Sequence, residues 1–181
     1  MNTVILMWDP AISCVSMEDY KKSMRDCLEH YYNWSVWDHE YSRACDRFYL
    51  VRVGEGNTGI VMKGVLSSEP FRAEDWSGRG REVYYMDMEP DIIINPDEAP
   101  IITTKELEEN LPGFVWSGGH AGRILEPKLA DMLEDLWHLY IEKNEAMFGD
   151  PDKAVRPRRG KAFLHIINHP VSPTRRPEPE K

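Results

Sequence analysis

Apolar and polar positions along this chain recur in two periods, and the switches between them mark its elements. Val4 to Trp8 is an unbroken apolar run stopped by Asp9-Pro10, the pattern of a short strand. Ser16 followed by Asp19 resembles a capping box. Met17, Tyr20, Met24, Cys27, Leu28 and Tyr31 then fall at three- and four-residue spacings. That spacing predicts an amphipathic helix packed on a core, with Glu18, Lys21, Lys22, Arg25 and Asp26 on its polar face. Arg47 to Val53 alternates and is rich in β-branched and aromatic residues, and Gly59 to Leu66 reads as a second strand. The joint between them, Gly54-Glu55-Gly56-Asn57-Thr58-Gly59, has the form GxGxxG. A dinucleotide-binding loop needs a helix after it to hold the pyrophosphate; here a strand follows, so these glycines are turn residues.

Phe71 to Gly80 reads as a loop with a bulky anchor, Trp76. Arg81 to Met88 alternates as a strand ended by Pro90, and Ile92 to Ile94 is a brief apolar run before Asn95-Pro96. Thr103 and Glu106 form a second capping box, opening a short helix that stops at Pro112-Gly113. Phe114 to Ile124 places Trp116 and Ser117 beside glycines and His120. Pro127 suits the first turn of a helix, whose stripe is Leu129, Met132, Leu133, Leu136, Trp137 and Tyr140. Ala162 to Ile167 could add a strand, and Ser172 to Lys181, with three prolines, is expected to be an extended, mobile end. Several strands with about three helices and no internal repeat predict an α+β fold with a curved, mostly antiparallel sheet.

Composition narrows this picture without changing it. At 181 residues the chain is most simply one domain, and 41% hydrophobic with 29% charged residues is ordinary for a globular protein. No apolar run is long enough to span a membrane, and no positively charged segment precedes Val4 as a secretory signal would require. Cys14, Cys27 and Cys45 are odd in number and share no ligand spacing, which implies reduced thiols and a cytoplasmic protein. The net charge is −9, yet from Asp150 onward eight Lys/Arg face four Asp/Glu, a net of +4 that leaves −13 on the rest. Such an acidic body cannot rely on broad attraction to phosphates, so any nucleic-acid contact should be local and base-centred, or should involve the basic end.

Six tryptophans raise the question of a stacking site, since an aromatic face contributes about 1–3 kcal/mol per stacked base and a Trp or Tyr cage can equally hold a cationic group. Trp34, Trp37 and Trp116 stand in polar surroundings instead of apolar periodic runs, which favours a pocket; the competing role is to anchor loops onto the core. On a helical turn Trp34 and Trp37 would share a face, whereas in an extended segment they point oppositely and one becomes core. Trp116-Ser117-Gly118-Gly119-His120 is the second candidate, because glycines let a ligand approach backbone amides and Ser117 and His120 can each donate or accept. Signals for catalysis are weak. Ser117 lacks a G-x-S-x-G frame, His165 and His169 sit in a strand-like run next to Pro170, and Asp87, Glu89 and Asp91 alternate as a solvated strand edge does. No catalytic set, metal site or cofactor is expected.

A tryptophan-containing segment is followed by Cys45-Asp46-Arg47-Phe48-Tyr49-Leu50-Val51-Arg52, a glycine turn, Gly59-Ile60-Val61 with Gly64, and Ser68-Glu69-Pro70-Phe71. This series resembles the EVE domains of the PUA-like superfamily, related to YTH and ASCH domains, and Trp116-Ser117-Gly118-Gly119 with Gly122-Arg123-Ile124 resembles that family's closing segment. The resemblance covers residues 1–148 and leaves 149–181 as a basic, proline-rich extension. It implies a PUA-like, barrel-like sheet packed by about three helices, with a single flipped modified base held in an aromatic pocket. By position Trp34-Ser35 resembles the cage tryptophan and its neighbour, and Trp8 falls where the family tends to place pocket residues. Trp37, the acidic body and the basic end depart from the pattern. The expected function is recognition of a modified base or nucleotide of DNA or RNA by Trp8, Trp34, Ser35, Trp37, Trp116, Ser117, Gly118 and His120. The alternatives are a small hydrolase-like enzyme on a nucleoside-like or amide substrate, with His120 and Ser117 handling protons, or an acidic protein-interaction module.

Overall fold

A computed structural model of the protein describes residues 1–25, 32–75 and 77–157. Cys27, Leu28, Tyr31, Trp76, His165, His169, the strand expected over 162–167 and the proline-rich end lie outside these residues. The strands are β1 (Thr3–Trp8), β2 (Tyr32–Ser35), β3 (Arg47–Arg52), β4 (Gly59–Leu66), β5 (Phe71–Glu74), β6 (Glu82–Ile94), β7 (Arg123–Ile124) and β8 (Ala154–Val155). The α-helices are α1 (Met17–Arg25), α2 (Thr104–Asn110) and α3 (Pro127–Lys143), with a 3-10 turn at Glu145–Gly149. The fold is α+β: a mixed, curled, barrel-like sheet packed by three helices. No helix among the described residues is long and apolar enough to cross a membrane.

The strand order is β2-β6-β4-β3-β1-β7, with β5 and β8 also paired to β6. β1 runs parallel to β3 from Thr3↔Arg47 to Trp8↔Arg52, and the remaining pairs are antiparallel. A parallel pair is covered on both faces, and β1 accordingly buries all six residues. Val4, Leu6 and Trp8 join Phe48, Leu50, Met86 and Trp34 inside the curl, where Tyr20 and Met24 of α1 complete the packing. Ile5, Met7, Tyr49 and Val51 meet a second core built with Leu107, Trp116, Leu133, Trp137 and Tyr140. The Tyr20 hydroxyl donates within 2.7 Å of the carbonyls of Val61 and Ile94, fastening α1 to two strands. Both capping boxes form: Ser16 and Asp19 bond each other's main chain and side chain, as do Thr103 and Glu106.

Three departures from the sequence reading have physical causes. The break expected at Pro90 does not occur, and β6 runs through it from Glu82 to Ile94. Pairing shifts there from Lys63↔Ile92 to Gly64↔Pro90, so Asp91 is an extra residue and the missing proline donor falls at a bulge. Gly64 allows the approach, because a Cβ on it would lie 2.1 Å from the Glu89 carbonyl oxygen. Second, Phe71–Glu74 is a strand instead of a loop, since the long β6 offers it a ladder from Tyr85 to Glu82. Third, β8 lies beyond the boundary expected at residue 148; it pairs with Ile93 and Ile94, and the sheet takes in the chain to Val155.

The ends of the strand order come together outside the named strands. The Trp37 and Asp38 amides donate to the carbonyls of Ala121 and Gly122, both at 2.9 Å, while the Gly122 amide donates to Ile5 at 2.8 Å. The Asp38 carboxylate also accepts from the Ile124 amide at 2.7 Å. Gly122 sits at this seam with φ +80°, and a Cβ there would stand 2.3 Å from the Val36 Cα. On the outer side, Glu134 of α3 takes the Tyr49 hydroxyl, Lys63 at 3.1 Å and Arg47 at 3.1 Å. Burial raises the Glu134 carboxyl, but the Tyr49 hydrogen bond, Lys63 and Arg47 outweigh it and hold the group below its ordinary range.

Gly122→Ala is expected to destabilise the protein by at least about 2 kcal/mol in urea unfolding. Gly78→Ala has a similar positive φ but nothing within 4 Å of the added methyl, so it should lose about 1 kcal/mol from backbone strain alone. A depressed carboxylate contributes stability above its unfolded pKa and loses it as pH falls through the folded value. Wild type should therefore lose thermal stability as pH drops below about 4.5, the ordinary Glu134 value, and Glu134→Gln should flatten that acid limb in melts from neutral pH downward.

Candidate functional site

The alternation of β2 decides the first pair of tryptophans. The segment is extended: Trp34 pairs with Met86 and turns into the core, and Ser35 pairs with Tyr85 on the other face. Val36 continues inward as a buried residue, and Trp37 points out with 60% exposure. The Trp34 indole N–H reaches the Met7 carbonyl at 2.9 Å, bridging β2 to the end of β1. Beside this bridge a cleft of about 390 Å³ opens. That volume lies within the roughly 300–1,000 Å³ of small-molecule sites.

Trp8, Trp34 and Tyr85 are the aromatic residues of its lining, with Ser35 from β2 and Ser117, Gly118 and Gly119 from the glycine-containing loop. Asp9, Ile12 and Ser13 contribute from the turn after β1, and Val53 and Gly54 from the β3–β4 joint. Trp8 is held at depth: its indole N–H donates to Val15 at 2.8 Å and its ring stacks on Tyr20 at 4.7 Å. The loop at residues 115–120 is folded around Arg123, whose guanidinium donates at 3.0 Å to the carbonyls of Val115, Gly118 and His120. The same guanidinium covers the Phe114 ring at 4.4 Å. Burial lowers the Arg123 pKa and nearby Asp38 opposes that shift. With its cation committed to main-chain carbonyls, Arg123 shapes the loop and offers the cleft no anion-binding group.

Of the residues expected at the site, the structure brings Trp8, Trp34, Ser35, Ser117 and Gly118 together on the cleft. Trp116 is not among its walls. It is fully buried in the second core, packed on Phe114 at 4.7 Å with its indole N–H on the Leu111 carbonyl at 3.0 Å. The expectation of a Trp116 wall is corrected for a packing reason: the aromatic completes the core beneath the loop, and the loop's serine and glycines line the cleft. Trp37 and His120 also lie off the cleft lining, stacked on each other at 3.7 Å and 6°. Asp9, Ile12, Ser13, Val53, Gly54 and Tyr85 were missed by sequence reasoning. Asp9-Pro10 directly after the first strand was the available signal, because strand ends present turn residues to such openings.

No family model matches the chain, and no curated protein does. Among solved structures it is similar to a hypothetical protein from Leishmania major at 8% identity, over 77% of this chain and 96% of that one, with a TM-score of 0.51. It also matches the NMR structure of Rpa0253 from Rhodopseudomonas palustris at 16% identity, over 91% of this chain and 90% of that one, with a TM-score of 0.40. The first likeness shows a shared fold and nothing about function; the second is too low to support an argument.

The assignments separate by stability. Trp116→Ala should cost about 3–5 kcal/mol, whereas Trp37→Ala, at an exposed position, should change unfolding free energy by less than about 1 kcal/mol. Denaturant titration of the two variants checks both.

Proposed function

We propose that the protein is a recognition module that takes one planar base, a modified base or nucleotide of DNA or RNA, into the cleft beside Trp34. The observation that carries this reading is the joining of aromatic surface and polar edge in one opening of the right size. Trp34, Trp8 and Tyr85, each at most 7% exposed, are the aromatic residues of its lining. Ser35, Ser117 and the backbone of Gly118 and Gly119 supply hydrogen-bonding groups within the same opening. A sugar and phosphates would stay outside the cleft, whose described lining holds no cation to meet them. A curled sheet with three helices is what the resemblance of the sequence motifs to PUA-like, EVE-related domains implies, and by position Trp34-Ser35 resembles the cage tryptophan of that family and its neighbour. Unstacking a base from a duplex costs a few kcal/mol, so single-stranded or modified sites are the preferred targets.

No observation favours the hydrolase-like alternative. His120 is stacked on Trp37 away from the cleft lining, and no hydrogen bond links it to Ser117. An acidic protein-interaction module would need no such opening.

The test is titration of single-stranded oligonucleotides, plain and carrying modified bases, against wild type and two variants. Trp34→Ala should weaken binding by about tenfold or more, the scale of one lost stacking contact. Because Trp34 also belongs to the core, Gly118→Trp provides a second probe: nothing lies within 4 Å of its Cβ position, so the added ring should fit the fold while filling the mouth. Absence of binding to every oligonucleotide, or binding indifferent to both substitutions, rules the proposal out.

A further inference from the structure

The charge of the cleft points beyond base recognition in general, to a class of base; this step rests on the reading just given. Among the described residues the lining contains no lysine, arginine or histidine, and its one carboxylate is Asp9. The end of β1 holds that residue firmly. Its main-chain carbonyl accepts from the amides of Ile12 at 3.2 Å and Ser13 at 2.9 Å, and its Oδ1 accepts from the Ala11 amide at 3.0 Å. The carboxylate packs against Gly54, where a Cβ would stand 2.7 Å from Oδ2 and 2.8 Å from Cγ and Oδ1, so a glycine there lets the group keep this place on the cleft. The cations of the neighbouring region are committed elsewhere: Lys21 and Arg52 both pair with Asp97, at 3.0 and 3.5 Å. Arg123 is spent on three carbonyls, as described above.

A fixed carboxylate beside Trp34, Trp8 and Tyr85 produces a negative potential on a partly desolvated surface. Aromatic faces attract cations, and the acidic body, with the whole chain at −9, adds to the same field. An anionic ligand group finds no cation among the described lining residues to meet it. We infer that the cleft selects a positively charged planar base, a nucleobase alkylated on a ring nitrogen, over its neutral counterpart, with Asp9 as the residue that sets this preference. The ligand's delocalised charge and its N–H edge would face Asp9 Oδ2 while its ring lies on the aromatic side.

Isomeric nucleosides isolate charge from size. Adenosine methylated on a ring nitrogen is a cation at neutral pH, and adenosine methylated on its exocyclic amine is neutral, with the same heavy atoms and one proton fewer. The full chain should bind the cationic isomer about tenfold more tightly in calorimetric titration, the scale of one close opposite charge over an aromatic surface. Asp9→Asn keeps the Oδ1 acceptor for the Ala11 amide and should bring the two isomers to within about twofold. Ile12→Lys offers a second route that leaves the Asp9 turn intact, since Ile12 lines the cleft and is 72% exposed. It should weaken the cationic isomer selectively by a similar factor. Equal binding of the isomers by wild type, or preference for the neutral one, overturns this inference and leaves base recognition standing. Discrimination that persists in both variants, with circular dichroism unchanged, removes Asp9 as its source. Failure of wild type to bind either nucleoside, or any modified or plain oligonucleotide, overturns both readings.

Discussion

Closure of the curled sheet by the segment after β2 is the constraint from which the site follows. Main-chain hydrogen bonds from Trp37 and Asp38 to Ala121 and Gly122, and from Gly122 onward to Ile5, bring three distant parts of the chain into one seam. The seam demands a glycine at 122, because the two backbones approach closer than any side chain permits. Beyond it, the end of β1 and the loop at 117–119 diverge, and Trp34 spans the gap to the Met7 carbonyl. The cleft is therefore the space left where paired strands separate. Its residues come from five parts of the chain, at 7–13, 34–35, 53–54, 85 and 117–121, brought together by strand pairing and by the seam.

The two cores divide the work on either side of that shell. The inner one packs α1 against the sheet through Tyr20 and Met24, and the outer one seats α2 and α3 through Leu107, Leu133 and Trp137. Polar groups at the outer interface are paired: Glu134 gathers Tyr49, Lys63 and Arg47, and Lys63 also lies over the rings of Tyr49 at 5.3 Å and Trp137 at 5.8 Å. Burying one carboxylate there is tolerable because two cations and a hydroxyl surround it. The cleft has the opposite character, a carboxylate with no cation among its described walls.

Much of the fold was legible in the chain because it depends on local signals. Both capping boxes, the α3 stripe behind Pro127 and the β3–β4 pair with its glycine joint follow from periodicity and turn chemistry. The misreadings arose where a partner overrode local preference. Pro90 stays within a strand because its missing donor falls at a bulge, and Phe71–Glu74 becomes a strand because β6 is long enough to pair with it. Of the site, Trp8, Trp34, Ser35, Ser117 and Gly118 were within reach of composition and motif, whereas Trp116 was misplaced because a polar neighbourhood in sequence says little about burial.

By itself the sequence determined the strand and helix periods, the turns, the caps and an acidic body with a basic end. It also posed the alternative for Trp34 and Trp37 correctly, one face or two, without resolving it. Tertiary structure decided that the segment is extended, so that the two rings part, one into the core and the other to the surface. It also decided that Asp9, separated from Trp34 by a whole helix, shares an opening with it. The reason is physical: period and capping act between residues a few positions apart, whereas a cleft is made by long-range pairing that no local preference encodes.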